Sequence, residues 1–131
     1  MKLRLLFVAA LVASLFTIGP IAMSTAGPSY PSVVTIQSSK SSFHGRVHLR
    51  RAGQHPQIAR PCRKHRRVSL FWHHNGNTQR VGVTRTNQLG RWGISKASHH
   101  GRYYAVAKRR VLRKRGNKVC QRAVSERISI S

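Results

Sequence analysis

The 131-residue chain contains no aspartate and a single glutamate, Glu126, against 25 lysines and arginines, for a formal net charge of +24 with neutral histidines. So few carboxylates exclude whole classes of chemistry. Retaining and inverting glycosidases need a carboxyl pair, and EF-hand loops and most magnesium sites need several acidic oxygens. A Ser-His-Asp triad has no aspartate to draw on, and Glu126 beside Arg127 is a poor substitute. Cysteine is also sparse, at two residues with no CxxC spacing. A convincing helical stripe of apolar residues is missing as well. What is present is 40% hydrophobic residues, enough for a core and too many for a disordered basic tail. The length fits one domain.

Lys2 and Arg4 precede an almost wholly apolar run over residues 5–17, and Gly19-Pro20 then breaks any helix. Ser24 and Ala26 supply the small residues of a cleavage site, with Ala22 and Ser24 as a second candidate. Residues 1–26 therefore have the layout of a secretory signal peptide. Residues 5–23 are also just long enough for an uncleaved anchor, but Pro20 and the small residues after it favour cleavage. Removing residues 1–26 takes Lys2 and Arg4 with it; the remaining 105 residues keep 23 bases against Glu126, a net +22. The chain is expected outside the cell or in its envelope. In an oxidising compartment Cys62 and Cys120 suggest a disulfide, with two free thiols or a metal pair as the other readings. Closing so long a loop would stabilise the fold by about 4 kcal/mol in the chain-entropy model.

After a linker over residues 27–32, the domain over residues 33–131 alternates with period two. Val34 and Ile36 start a first strand, and Phe43, Gly45, Val47 and Leu49 share one face of a second, opposite His44, Arg46 and His48. Residues 53–61 read as a polar loop. Val68, Leu70 and Trp72 alternate with Ser69, Phe71 and His73 before Asn75-Gly76, a strong hairpin signal, with Val81 and Val83 on the return strand. Turns over residues 87–90, 99–101 and 115–117 separate strands carrying Trp92 and Ile94, Tyr104 and Val106, Cys120, and finally Ile128 and Ile130. Seven or eight short strands with such turns describe an all-β sandwich.

The order of Phe43-x-Gly45-x-Val47, Cys62, Arg67-Val68-x-Leu70, Thr86-x-x-x-Gly90-x-Trp92-x-Ile94, Gly101-x-Tyr103-Tyr104-Ala105 and Cys120-x-x-Ala123-x-Ser125-x-x-Ile128-x-Ile130 resembles small secreted bacterial β-sandwiches. These are related in pattern to transthyretin-like and carboxypeptidase-regulatory-like domains. The resemblance implies a prealbumin-like or immunoglobulin-like sandwich with Cys62 and Cys120 bridged. It also implies a structural or adhesive module rather than an enzyme, with no cofactor. Family members commonly carry an acidic residue in the turn before the Gly-x-aromatic step, where this chain has Asn87-Gln88.

The bases are unevenly spread. Arg60, Arg63, Lys64, Arg66 and Arg67 fall within eight positions around Cys62. Lys108, Arg109, Arg110, Arg113, Lys114, Arg115 and Lys118 fall within eleven positions before Cys120. A disulfide would hold the two Cα atoms within about 7 Å and merge the clusters into one patch. Arg63, Lys64, Arg66, Arg67, Arg109, Arg110, Arg113, Lys114 and Arg115 are the candidate polyanion-binding residues. The partner would be an anionic cell-surface polymer, acidic polysaccharide, phospholipid headgroups touched peripherally, or extracellular DNA. The alternative is a solvated charge run on an accessory envelope protein with a protein partner. Sequence-specific nucleic-acid recognition has no reading motif.

Eight histidines include the pairs His73-His74 and His99-His100 beside turns, and His44 with His48 on one strand face. The latter two stand about 13 Å apart and cannot share one ion. A histidine metal site would need the pairs brought together by folding; otherwise they are exposed loop residues. Trp72, Trp92, Tyr103 and Tyr104 could form a sugar platform, but at least one tryptophan is expected in the core, and the two tyrosines must point to opposite faces.

Overall fold

A computed structural model describes residues 27–131; the segment read as an export signal lies outside the described residues. Two sheets face each other. The first is built on β4 (Ser42–Leu49), with β2 (Ser32–Val34) and β3 (Gln37–Ser38) on one side and β7 (Arg91–Ser95) pairing with it separately. β2 pairs Ser32 with Leu49 and β3 pairs Gln37 with His44, a single unshifted register, so the two pieces form one broken strand. The second sheet runs β6 (Asn77–Arg85), β5 (Arg67–His74), β8 (Gly101–Ala107), with β11 (Ala123–Val124) and β12 (Ile128–Ile130) sharing the far edge of β8. With the broken edges counted once each, this is an all-β sandwich of seven strands, within the seven or eight expected.

Alternation decides which side chains meet between the sheets. Phe43 and Val47 of β4, Val68 and Leu70 of β5, and Tyr103 and Ala105 of β8 are buried together with Trp92. His44, Arg46 and His48 face solvent, as the period-two pattern requires. Phe43 and Tyr103 meet across the interface with ring centroids 4.5 Å apart. The buried Trp92 indole donates from Nε1 to the Thr35 carbonyl at 3.2 Å, so its one polar atom is satisfied.

The β5–β6 hairpin closes at Asn75-Gly76, with φ of 49° and 77°. Two consecutive left-handed residues are what a type I′ turn demands. The turn before β7 is organised by Asn87. Its Oδ1 accepts from the N–H groups of Leu89 at 2.9 Å and Arg91 at 3.0 Å. A neutral amide oxygen is enough to organise this loop. Gly90 then turns the chain with φ 79°. A side chain there would overlap the Val47 carbonyl oxygen.

A third sheet, β1 (Ser29–Tyr30), β10 (Lys118–Cys120) and β9 (Arg110–Leu112), was not legible as a separate unit. It lies against a second apolar cluster of Leu49, Ile58, Cys62, Leu112 and Cys120. Here the loop reading of residues 53–61 is corrected: a 3-10 turn (Ala52–Gln54) leads into a helix, α1 (Pro56–Arg63). Pro56 suits the first helical turn, where its missing N–H costs nothing. Ile58 and Cys62 lie four residues apart on one face and are buried. Eight residues are too few to show a period, and the internal Pro61 reads as a breaker. Cys62 and Cys120 form the disulfide, with Cα atoms 5.5 Å apart, and tie α1 to β10. That bridge is compatible with an extracellular location.

Candidate anion-binding cleft

The link from α1 to β5 and the link from β8 through β9 run side by side because the disulfide joins the elements flanking them. Thr86 fixes the first link. Its hydroxyl donates to the Arg63 carbonyl at 2.5 Å and accepts from the Arg66 N–H at 2.8 Å. Arg110 crosses between the links, its Nη1 donating to the Pro61 carbonyl at 3.3 Å and to that of Lys64. The two basic segments therefore meet.

Between them lies a cleft of about 430 Å³ lined by His65, Arg66, Arg67, Arg85, Lys108, Arg109, Arg110, Val111 and Arg113. Glu126, the only carboxylate side chain in the sequence, is not among the lining residues. Arg67 of β5 stands directly opposite Arg85 of β6, and both are exposed. Like charges paired across a ladder are unfavourable by roughly 0.2–1 kcal/mol. An anion in the cleft would relieve that repulsion.

The nine candidate residues separate into groups. Arg67, Arg109, Arg110 and Arg113 line the cleft. Lys64 and Arg115 line a neighbouring cavity with Arg60 of α1. Lys114 is exposed in the 3-10 turn (Arg113–Arg115) that follows β9. Arg63 is half-buried, donating from Nε to the Gln88 carbonyl at 3.2 Å.

Arg66 must be corrected. It is 1% exposed and forms the floor of the cleft rather than a contact surface. Its guanidinium donates to the carbonyls of Lys108 at 3.0 Å, Cys62 at 2.7 Å and Gln121 at 2.9 Å, and to the Ser32 hydroxyl at 3.2 Å. With those donors committed, it offers little to an external anion. Burial, and then the nearby Arg110 charge, lower its pKa from the ordinary arginine range to about 10, so it remains cationic at neutral pH.

His65, Arg85 and Lys108 belong to the cleft but were not among the candidates. Lys108 lay in a basic run, whereas Arg85 lies far from either run in sequence.

The other constellations fare differently. Trp92 and Tyr103 are core residues and Trp72 packs partly against the core, so the four aromatics do not assemble a sugar platform. Trp72 stacks on His74 at 5.3 Å and His74 meets His100 edge-on at 5.5 Å. Among the described residues no group of three or more His, Cys, Asp or Glu could hold a metal ion. No helix among them is long and apolar enough to cross a membrane. In comparisons with known proteins, no family model and no curated sequence matches the chain.

Proposed function

We propose that this is a secreted, non-catalytic β-sandwich module that associates electrostatically with anionic polymers or surfaces. The observation that carries the reading is the cleft in which Arg67, Arg85, Lys108, Arg109, Arg110 and Arg113 converge with no carboxylate side chain among them. Counterion release from a polyanion would drive binding that is tight at low salt and weakens steeply as salt rises. The order of turns and aromatics supports a transthyretin-like or carboxypeptidase-regulatory-like module, and residues 1–26 support export. Any membrane contact would be peripheral, through anionic headgroups.

The test compares wild type with a variant in which the exposed Arg67, Arg85, Arg109 and Arg113 are all changed to Gln. Wild type should be retained on heparin and anionic liposomes and elute with salt. For a phosphodiester strand, the variant should lower the salt slope by up to about 3, near 0.7 for each phosphate no longer neutralised. Equal retention of the two proteins, or elution that ignores salt, would remove the polyanion reading.

A further inference from the structure

The outer face of the second sheet carries a feature that the cleft does not explain. Phe71 of β5 and Tyr104 of β8 are register partners, and their rings stack at 5.2 Å and 12°. Neither belongs to the core cluster, and both are only half-buried. Arg127 lies over Tyr104 with its Cζ 5.3 Å from the ring centroid. On the other side, Arg80 of β6 is the register partner of Phe71. Two parallel rings thus stand between two guanidinium-bearing residues.

This aromatic pair is continuous with the cleft. Arg67 and Phe71 lie four residues apart on the same face of β5, about 13 Å along the strand. Arg67 and Arg85 belong to the cleft wall, so one surface runs from clustered cations to stacked rings.

We infer that the polyanion suited to this surface is single-stranded nucleic acid, bound without sequence preference. The inference rests on the polyanion reading and narrows it. Phosphodiesters would lie along the cleft, and an unpaired base would extend the parallel stack at Phe71 and Tyr104. Cationic grooves with aromatic platforms bind single strands in this way, because every base has a π-face. A duplex keeps its base faces stacked internally and could use only the cations. A sulfated polysaccharide has no planar ring to add to the stack.

Fluorescence anisotropy on the disulfide-bonded chain separates these cases. The probes are labelled oligo(dT) of about a dozen nucleotides, an abasic phosphodiester oligomer of equal length and charge, the corresponding duplex, and heparin as competitor. Oligo(dT) should bind about tenfold more tightly than the abasic strand, the range expected for base–aromatic stacking. Phe71→Leu and Tyr104→Leu should remove that advantage while leaving abasic binding and the melting temperature nearly unchanged. The comparison of the two strands on wild type stands even where a variant fails to fold. Equal affinity for oligo(dT) and the abasic strand, or a duplex bound as tightly as the single strand, would overturn this inference and leave polyanion binding intact. Failure of every probe, heparin included, would instead overturn the polyanion reading and this inference with it.

Discussion

The guanidinium of Arg66 donates to the carbonyl oxygen of Cys62 at 2.7 Å, so the residue that ends the first link is anchored to a half-cystine of the disulfide. The same group reaches carbonyls on Lys108 and Gln121, beyond the ends of β8 and β10. A cation drawn from a basic run has become an internal strut joining α1, the β8–β9 link and the chain after Cys120.

Arg66→Met would leave three carbonyls and the Ser32 hydroxyl without this partner. Leaving such groups unpaired should destabilise the fold by about 3 kcal/mol or more. Urea denaturation measures this. A change within about 0.5 kcal/mol, the usual range of surface substitutions, would show that Arg66 is not a strut.

The same residue carries a pH dependence with a defined sign. Its folded pKa, about 10, lies below the ordinary arginine value. Above about pH 10 the unfolded chain holds a proton that the folded chain has released, so stability rises with pH. The contribution is lost as pH falls through about 10 and is flat near neutrality. Measured from about pH 9 to pH 11, the stability of wild type minus that of Arg66→Met should grow. A difference that shrinks with rising pH would contradict the assigned shift.

Replacing both Cys62 and Cys120 by Ala should cost about 4 kcal/mol, because the bond spans 58 positions of sequence. Calorimetry should show a fall in melting temperature of about 15 °C or more. Anion retention should fall as well, since the bond aligns the two basic links. A double variant with unchanged melting temperature would show that the second cluster holds without the bridge.

Arg85→Gln should move two observables in opposite directions. It removes the like charge facing Arg67, which should raise stability by roughly 0.2–1 kcal/mol. It also removes a cation from the cleft, so elution from heparin should move to lower salt. Loss of stability together with unchanged retention would mean that Arg85 serves the fold and not the ligand.

Much of the sandwich was legible because strand alternation is a local property. Phe43, Val47 and Leu49 read as one buried face because neighbours on a strand point to opposite sides. Asn75-Gly76 read as a hairpin because few residues accept two left-handed conformations in succession. Helix α1 escaped because its signal amounts to two apolar positions, Ile58 between Pro56 and Pro61 and Cys62 just after the second proline. Its stability comes from the disulfide and from Leu49 and Leu112, which are distant in sequence.

The cleft shows the same boundary at single residues. From the hairpin turn, His74 pairs with Asn77, and counting outward in that register would set Thr84 opposite Arg67. A bulge on β6, between the partners of Leu70 and Phe71, shifts the pairing by one and brings Arg85 there instead. No local pattern marks that extra residue.

By itself, the amino-acid sequence determined the sign of the charge, the scarcity of carboxylates, the alternating strands and the pair of cysteines able to join two basic runs. Each is a matter of composition or of near neighbours. Only the tertiary structure decided that Arg66 lies inside, that Arg85 faces Arg67, and that Phe71 and Tyr104 stack on the open face. Those outcomes depend on register and burial, set by packing between residues far apart in the chain.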